Sequence, residues 1–250
     1  MHKTSLLLLL ALSVAASAQT STTTTPKSTT PKSSTTKSST AKKSSTAAAP
    51  ATPAGPPKAI IHTTMGDIHC TLIPDKAPIG VKNFIGLATG KKDWTDPKTG
   101  AVKHGVPLYD GTLFHRVIPE FMIQGGDPIG TGMGGPGFKF KNETSDDLGF
   151  DKPGRLAYAN AGPDTNGSQF FVTEAAYPSL NGGYTIFGQC EDADVVQKIA
   201  RVPRSHGYAT QDRPISDVVI KHVEIVGVPA AAKKPVTHKS STTKKSTSTK

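Results

Sequence analysis

Residues 59–228 predict a mainly β fold: a closed barrel of about eight strands with helices over its ends. Three observations carry that expectation. Short runs rich in β-branched and aromatic residues recur along the segment, only two stretches space apolar residues as helices do, and Gly and Pro crowd the turns between them.

The first strands are Ala59–Thr64 and Asp67–Ile73, joined by Met65-Gly66, a pair suited to a hairpin. Pro78 fits the first turn of a helix in which Val81, Phe84, Ile85 and Ala88 fall at i, i+3, i+4 and i+7, and Gly90 offers its stop. Lys91–Pro107 reads as a long surface loop, with Trp94 a packed loop aromatic. Further strands are expected at Thr112–Val117, Phe121–Gln124, Arg155–Ala159, Gln169–Thr173, Thr185–Gln189 and Asp217–Val226. Ala193–Ala200 fits a second short helix, with Asp192 placed to cap it and Val195, Val196 and Ile199 on its apolar face.

The chain on either side differs in kind. Met1–Ala18 carries His2 and Lys3, an apolar stretch from Leu6 to Ala16, and Ala16-Ser17-Ala18 before Gln19, which reads as a secretory signal peptide and implies a periplasmic or extracellular protein. Its apolar run is short for a bilayer core of about 30 Å. Residues 19–58 and 229–250 are almost wholly Ser, Thr, Lys, Pro and Ala, and lack the apolar surface that would offset ordering entropy, so a disordered linker and a disordered basic tail are expected.

Charge divides along the same boundaries. The formal +10 belongs to the ends, because all 19 acidic residues but only 16 of the 29 lysines and arginines lie in 59–228, a net −3. The domain itself therefore does not read as a nucleic-acid binder. Twelve lysines in 19–58 and 229–250 suit either attraction to anionic envelope polymers or lipids, or a solubilising tether. Cys70 and Cys190 sit in apolar strand-like runs of a protein expected to meet an oxidising compartment. They either pair or remain two separately buried thiols, since sequence does not supply the Cα separation.

Several chemistries are excluded by motif. There is no G-x-S-x-G, H-E-x-x-H, C-x-x-C or P-loop, and His62, His69, His104, His206 and His222 lack ligand spacing, so neither metal nor cofactor is expected. Gly130–Gly135 lacks the helix and the Lys-Ser/Thr pair of a phosphate loop and reads as a tight loop. Two runs stand out. Phe114–Asp127 (FHRVIPEFMIQGGD) sets one arginine and one glutamine among large apolar residues, and Ala159–Phe171 (ANAGPDTNGSQFF) ends in a strand that sends Phe170 and Phe171 to opposite faces.

These runs closely resemble the signature segments of the cyclophilin family of peptidyl-prolyl isomerases. The resemblance spans residues 59–228 in order; the loop with Trp94 and the Asp127-Pro128 step look more like bacterial members. It implies an eight-stranded antiparallel barrel capped by two helices, acting on proline-containing segments; with the signal peptide, the expected clients are exported proteins, and a monomer is the simplest expectation. It implies that Arg116 is the catalytic arginine and that Gln124 holds its hydrogen-bond network, with His115 and Gln169 further site positions. By the same resemblance Phe121, Met122, Phe171 and Leu180 grip the proline ring, and Ala159, Asn160 and Ala161 bind substrate backbone. Ser179 and Tyr184 depart from many eukaryotic members, which carry Trp and His there; Tyr184 keeps an aromatic face at the pocket, while Ser179 implies poor cyclosporin affinity. The competing reading is a proline-peptide-binding module or envelope-tethered chaperone with incidental catalysis.

Overall fold

The computed structural model describes residues 55–207 and 211–227. The expected signal peptide, nearly all of the linker and the basic tail lie outside them. The strands are β1 (Lys58–Thr63), β2 (Gly66–Leu72), β3 (Trp94–Thr95), β4 (Val102–Lys103), β5 (Arg116–Ile118), β6 (Met122–Gly125), β7 (Arg155–Tyr158), β8 (Phe170–Thr173), β9 (Ile186–Cys190) and β10 (Ile220–Val226). The helices are α1 (Pro78–Ala88) and α2 (Ala193–Ala200).

Eight strands form one antiparallel sheet in the order β10-β1-β2-β9-β7-β8-β6-β5. The mainly β architecture with two helices agrees with expectation, but the barrel is not strictly closed: β5 and β10 share no continuous ladder. Residues 111–114 span the gap instead. Gly111 N–H donates to Ile220 O, Phe114 N–H to Val218 O and Ile220 N–H to Thr112 O, at 2.8, 2.9 and 2.8 Å, and Leu113 bridges both Asp127 and Val219. The strand expected at Thr112–Val117 is therefore short at its start, because its first half leaves the ladder to make this seam. The Lys91–Pro107 loop contains the small β3–β4 hairpin, and Trp94 is buried with its indole N–H on Val106 O at 2.9 Å.

Alternation along the strands builds the core. Phe84, Tyr109, Phe114, Phe170 and Phe187 are fully or almost fully buried, with Phe84 centred 5.0 to 5.7 Å from Tyr109, Phe170 and Phe187. α1 presses Val81, Phe84, Leu87 and Ala88 onto this core. Its first turn is satisfied from a distance: the Glu143 carboxylate accepts Ile79 N–H and Gly80 N–H at 2.9 and 2.8 Å, favourable for an anion at a helix N-terminus. Asp192 does not cap α2 as expected; its carboxylate accepts the His69 N–H at 2.5 Å, tying the helix entrance to β2. Cys70 and Cys190 are direct register partners on β2 and β9 and are disulfide-bonded, resolving the alternative the sequence left open.

Candidate active site

The β5–β6 hairpin and β8 place the polar residues of the site by register. Arg116 lies opposite Gln124, and Gln124 opposite Phe171. Arg116 Nη1 donates to Gln124 Oε1 at 3.4 Å, Gln124 Nε2 to Gln169 Oε1 at 2.9 Å, and Gln169 Nε2 to Gly132 O and Gly134 O at 2.9 and 2.8 Å. A relay thus runs from the guanidinium into the glycine loop. That loop is no phosphate cradle: the anion its amides hold is the protein's own. The fully buried Asp127 carboxylate accepts N–H groups from Ile129, Thr131, Gly132 and Gly134 at 2.7 to 3.1 Å. Burial pushes its pKa up, but the four amides outweigh this and hold it below the usual aspartate value. At Gly134 an added Cβ would lie 2.0 Å from the Asp127 carboxylate, so only glycine fits.

Beside the relay is an apolar floor distinct from the main core. Met122, Phe150, Ala157, Phe171 and Ile186 are buried together, with Phe121, Leu180 and Tyr184 packed against them. Phe150 stacks on Phe171 at 5.8 Å, and Tyr184 meets Phe171 edge-on at 5.5 Å. Phe121 leans on Tyr177 at 4.6 Å. The resulting cleft of about 470 Å³ is lined by ten of the residues singled out in the sequence: His115, Arg116, Phe121, Met122, Gln124, Ala159, Asn160, Phe171, Leu180 and Tyr184. Ala161 and Gln169 line an adjoining groove with residues 132–139. Ser179 is exposed on a 3-10 turn and does not line the cleft.

Two neighbours of the cleft have little freedom. Neither ring nitrogen of the buried His115 finds a well-formed hydrogen bond, and burial lowers its pKa, opposed by the Asp127 carboxylate and reinforced by Arg213 and Arg116. The imidazole is therefore neutral at neutral pH. Asn160 spends its side chain internally, Nδ2 donating to Gly183 O at 2.9 Å and Oδ1 accepting Gly162 N–H at 3.3 Å. Ala159 N–H is bonded to Gln169 O and Ala161 N–H to Thr165 Oγ1, so of the three amide N–H groups of this strip only that of Asn160 lacks a bond within the described residues.

Sequence reasoning missed Gln211 and Arg213, which also line the cleft. Arg213 Nη1 donates to Gly130 O at 2.8 Å, and nothing local in the sequence signals a contact across 83 positions. It also missed Phe150, which sits in an irregular segment without strand periodicity, and Asp127, whose Asp-Pro-x-Gly context reads as a turn. Among the described residues no group of His, Cys, Asp or Glu is arranged to hold a metal ion.

A sequence profile for the cyclophilin type peptidyl-prolyl cis-trans isomerase matches residues 58–225. The chain belongs to the cyclophilin family. It is 51% identical over 170 residues to peptidyl-prolyl cis-trans isomerase B of Streptomyces anulatus, covering 67% of this chain and 95% of that protein. It is 48% identical over 174 residues to peptidyl-prolyl cis-trans isomerase A of Mycobacterium tuberculosis, covering 70% and 94%. The crystal structure of a Cryptosporidium parvum cyclophilin superposes with a TM-score of 0.57 at 34% identity, over 67% of this chain and 96% of that one. The same cyclophilin crystallised in the presence of the dipeptide Ala-Pro superposes with a TM-score of 0.56 over 66% and 96% of the two chains. The family is an enzyme family of peptidyl-prolyl cis-trans isomerases.

Proposed function

We propose that this cyclophilin accelerates rotation about X-Pro bonds in exported proteins, with Arg116 as the group that stabilises the twisted amide. The observation that carries the reading is Arg116 at the edge of an apolar pocket built for a ring, with Gln124 holding the guanidinium from behind. Rotation about a peptide C–N bond costs roughly 18 to 20 kcal/mol because it breaks amide resonance. No proton need move. The twisted state places a lone pair on the prolyl nitrogen, and an always-charged planar donor suits that pair better than it suits the planar ground state. Phe121, Met122, Phe171, Leu180 and Tyr184 hold the proline ring, the Ala159-Asn160-Ala161 strip holds substrate main chain, and Gln169 fixes Gln124. A thousandfold acceleration needs about 4 kcal/mol, the size of one charge-assisted bond plus desolvation of the amide.

The leader-like start of the chain and the Cys70–Cys190 disulfide both support an exported protein, since such bonds persist in oxidising compartments. The lysines of 19–58 and 229–250 would then favour residence near anionic envelope polymers or lipids. N-terminal sequencing of the secreted chain is expected to begin at Gln19. For the activity, exchange NMR on a proline peptide with catalytic amounts of protein is expected to show faster cis-trans exchange. Binding without faster exchange would favour the peptide-binding module instead.

A further inference from the structure

We propose that Glu174 is a positioning residue of this enzyme: it clamps the corner of the β5–β6 hairpin so that Phe121 and Met122 are presented to the proline ring. The proposal rests on the isomerase reading above. The hairpin carrying Arg116, Met122 and Gln124 turns through Pro119-Glu120-Phe121, and Glu120 has a φ of 62°. A residue with a Cβ enters that left-handed region only at a cost, and the Glu120 side chain is exposed.

The β6–β8 ladder cannot hold this corner, because its last pair is Met122 and Thr173. Glu174 takes over where the ladder stops. Its Oε2 accepts the Glu120 N–H at 2.8 Å, and its own N–H donates to Phe121 O at 2.8 Å. One residue thus grips two successive residues of the corner, one through the side chain and one through the main chain. The segment that follows adds Tyr177, whose ring braces Phe121.

The carboxylate is in a site that does not favour charge: its side chain is 3% exposed. Such a group persists only when paired and hydrogen-bonded, and Arg201, just beyond α2, pairs with Oε1. An apolar side chain could fill the same space without a desolvation penalty. What it could not do is accept the N–H of Glu120, the residue just before Phe121 of the cleft wall.

A purely structural ion pair between Glu174 and Arg201 would stabilise the fold without caring which residue occupies position 120. The test separates the two roles. Glycine enters a φ of 62° freely, so Glu120→Gly removes the need for a clamp. kcat and KM for a proline peptide are measured in wild type, Glu174→Ala, Glu120→Gly and the double variant. Glu174→Ala is expected to lower kcat/KM about tenfold, mainly through KM as the Phe121 wall loosens, and the double variant to recover most of that loss. Equal losses in single and double variants, or none in Glu174→Ala, overturn the proposal. Where Glu174→Ala does not fold, E120G is compared with E120G/E174A: a difference below about twofold is expected, and about tenfold overturns the clamp. A wild type that does not accelerate exchange would remove the isomerase reading itself, a result distinct from either.

Discussion

Phe170 and Phe171 are consecutive residues of β8, 0% and 5% exposed, yet they serve two regions of the molecule. Phe170 points into the main core and meets Phe84, Tyr109 and Phe114 edge-on at 5.6 to 6.2 Å. Phe171 points the other way, onto the floor of the cleft, with Gln124 opposite it and Tyr184 and Phe150 at its sides. The core ring is enclosed by apolar neighbours and its value is packing. The cleft ring is also closely packed, but the small part of its surface left uncovered lines the cleft. A single strand, by alternation alone, thus separates stability from function.

The comparison can be broken most forcefully at the core. Phe170→Ala is expected to destabilise the fold by about 3 to 5 kcal/mol, read by denaturant unfolding, while the folded fraction keeps its kcat/KM within about threefold. A large loss of specific activity would show that core and cleft are not separable. Next in size is the covalent tie on the core side. Replacing Cys70 and Cys190 by alanine is expected to cost about 2 to 5 kcal/mol, because the bond closes a loop with 120 positions between its ends, and to leave peptide isomerisation intact. Phe171→Ala inverts the pattern. We expect about 2 kcal/mol of stability lost, since the site opens to solvent, but at least tenfold in kcat/KM through a higher KM.

The smallest effect sharpens the boundary between the regions. His115 is held neutral by burial, so its folded pKa lies below its unfolded value of about 6.5. Below that pH the unfolded chain takes up a proton the folded chain resists, and stability falls until the folded pKa is passed. Asp127, also lowered, adds its own loss only further into acid, below the usual carboxylate range near pH 4. Unfolding titrations between pH 7 and 5 are expected to show wild type losing stability relative to His115→Gln. A difference that does not change with pH would mean that His115 is not shielded from solvent.

Much of this was legible in the chain itself. Each predicted strand and helix appears within a few residues, because β-branched runs, Gly and Pro punctuation and the Val81-Phe84-Ala88 spacing are local signals. The residues on β5, β6 and β8 were singled out by resemblance to the cyclophilin signature runs, and strand pairing is what brings Arg116, Gln124 and Phe171 side by side. What escaped was set by distance. Arg213 reaches Gly130, Glu143 reaches α1, and Asp192 reaches His69, all across more than 60 positions. The disulfide stayed open for the same reason, since only the β2–β9 pairing brings the two cysteines together. The barrel's closure was over-read, because strand count does not say whether the edge strands share a ladder or, as here, are joined by residues 111–114.

The role of Arg116 is tested most directly by exchange NMR on a saturating proline peptide with Arg116→Ala and Arg116→Lys. If the planar guanidinium acts on the twisted amide, both variants bind the peptide within a few-fold of wild type. Catalysed cis-trans exchange then falls by about 100-fold or more in alanine and only partly recovers with lysine. Exchange within about threefold of wild type in Arg116→Ala would contradict the account.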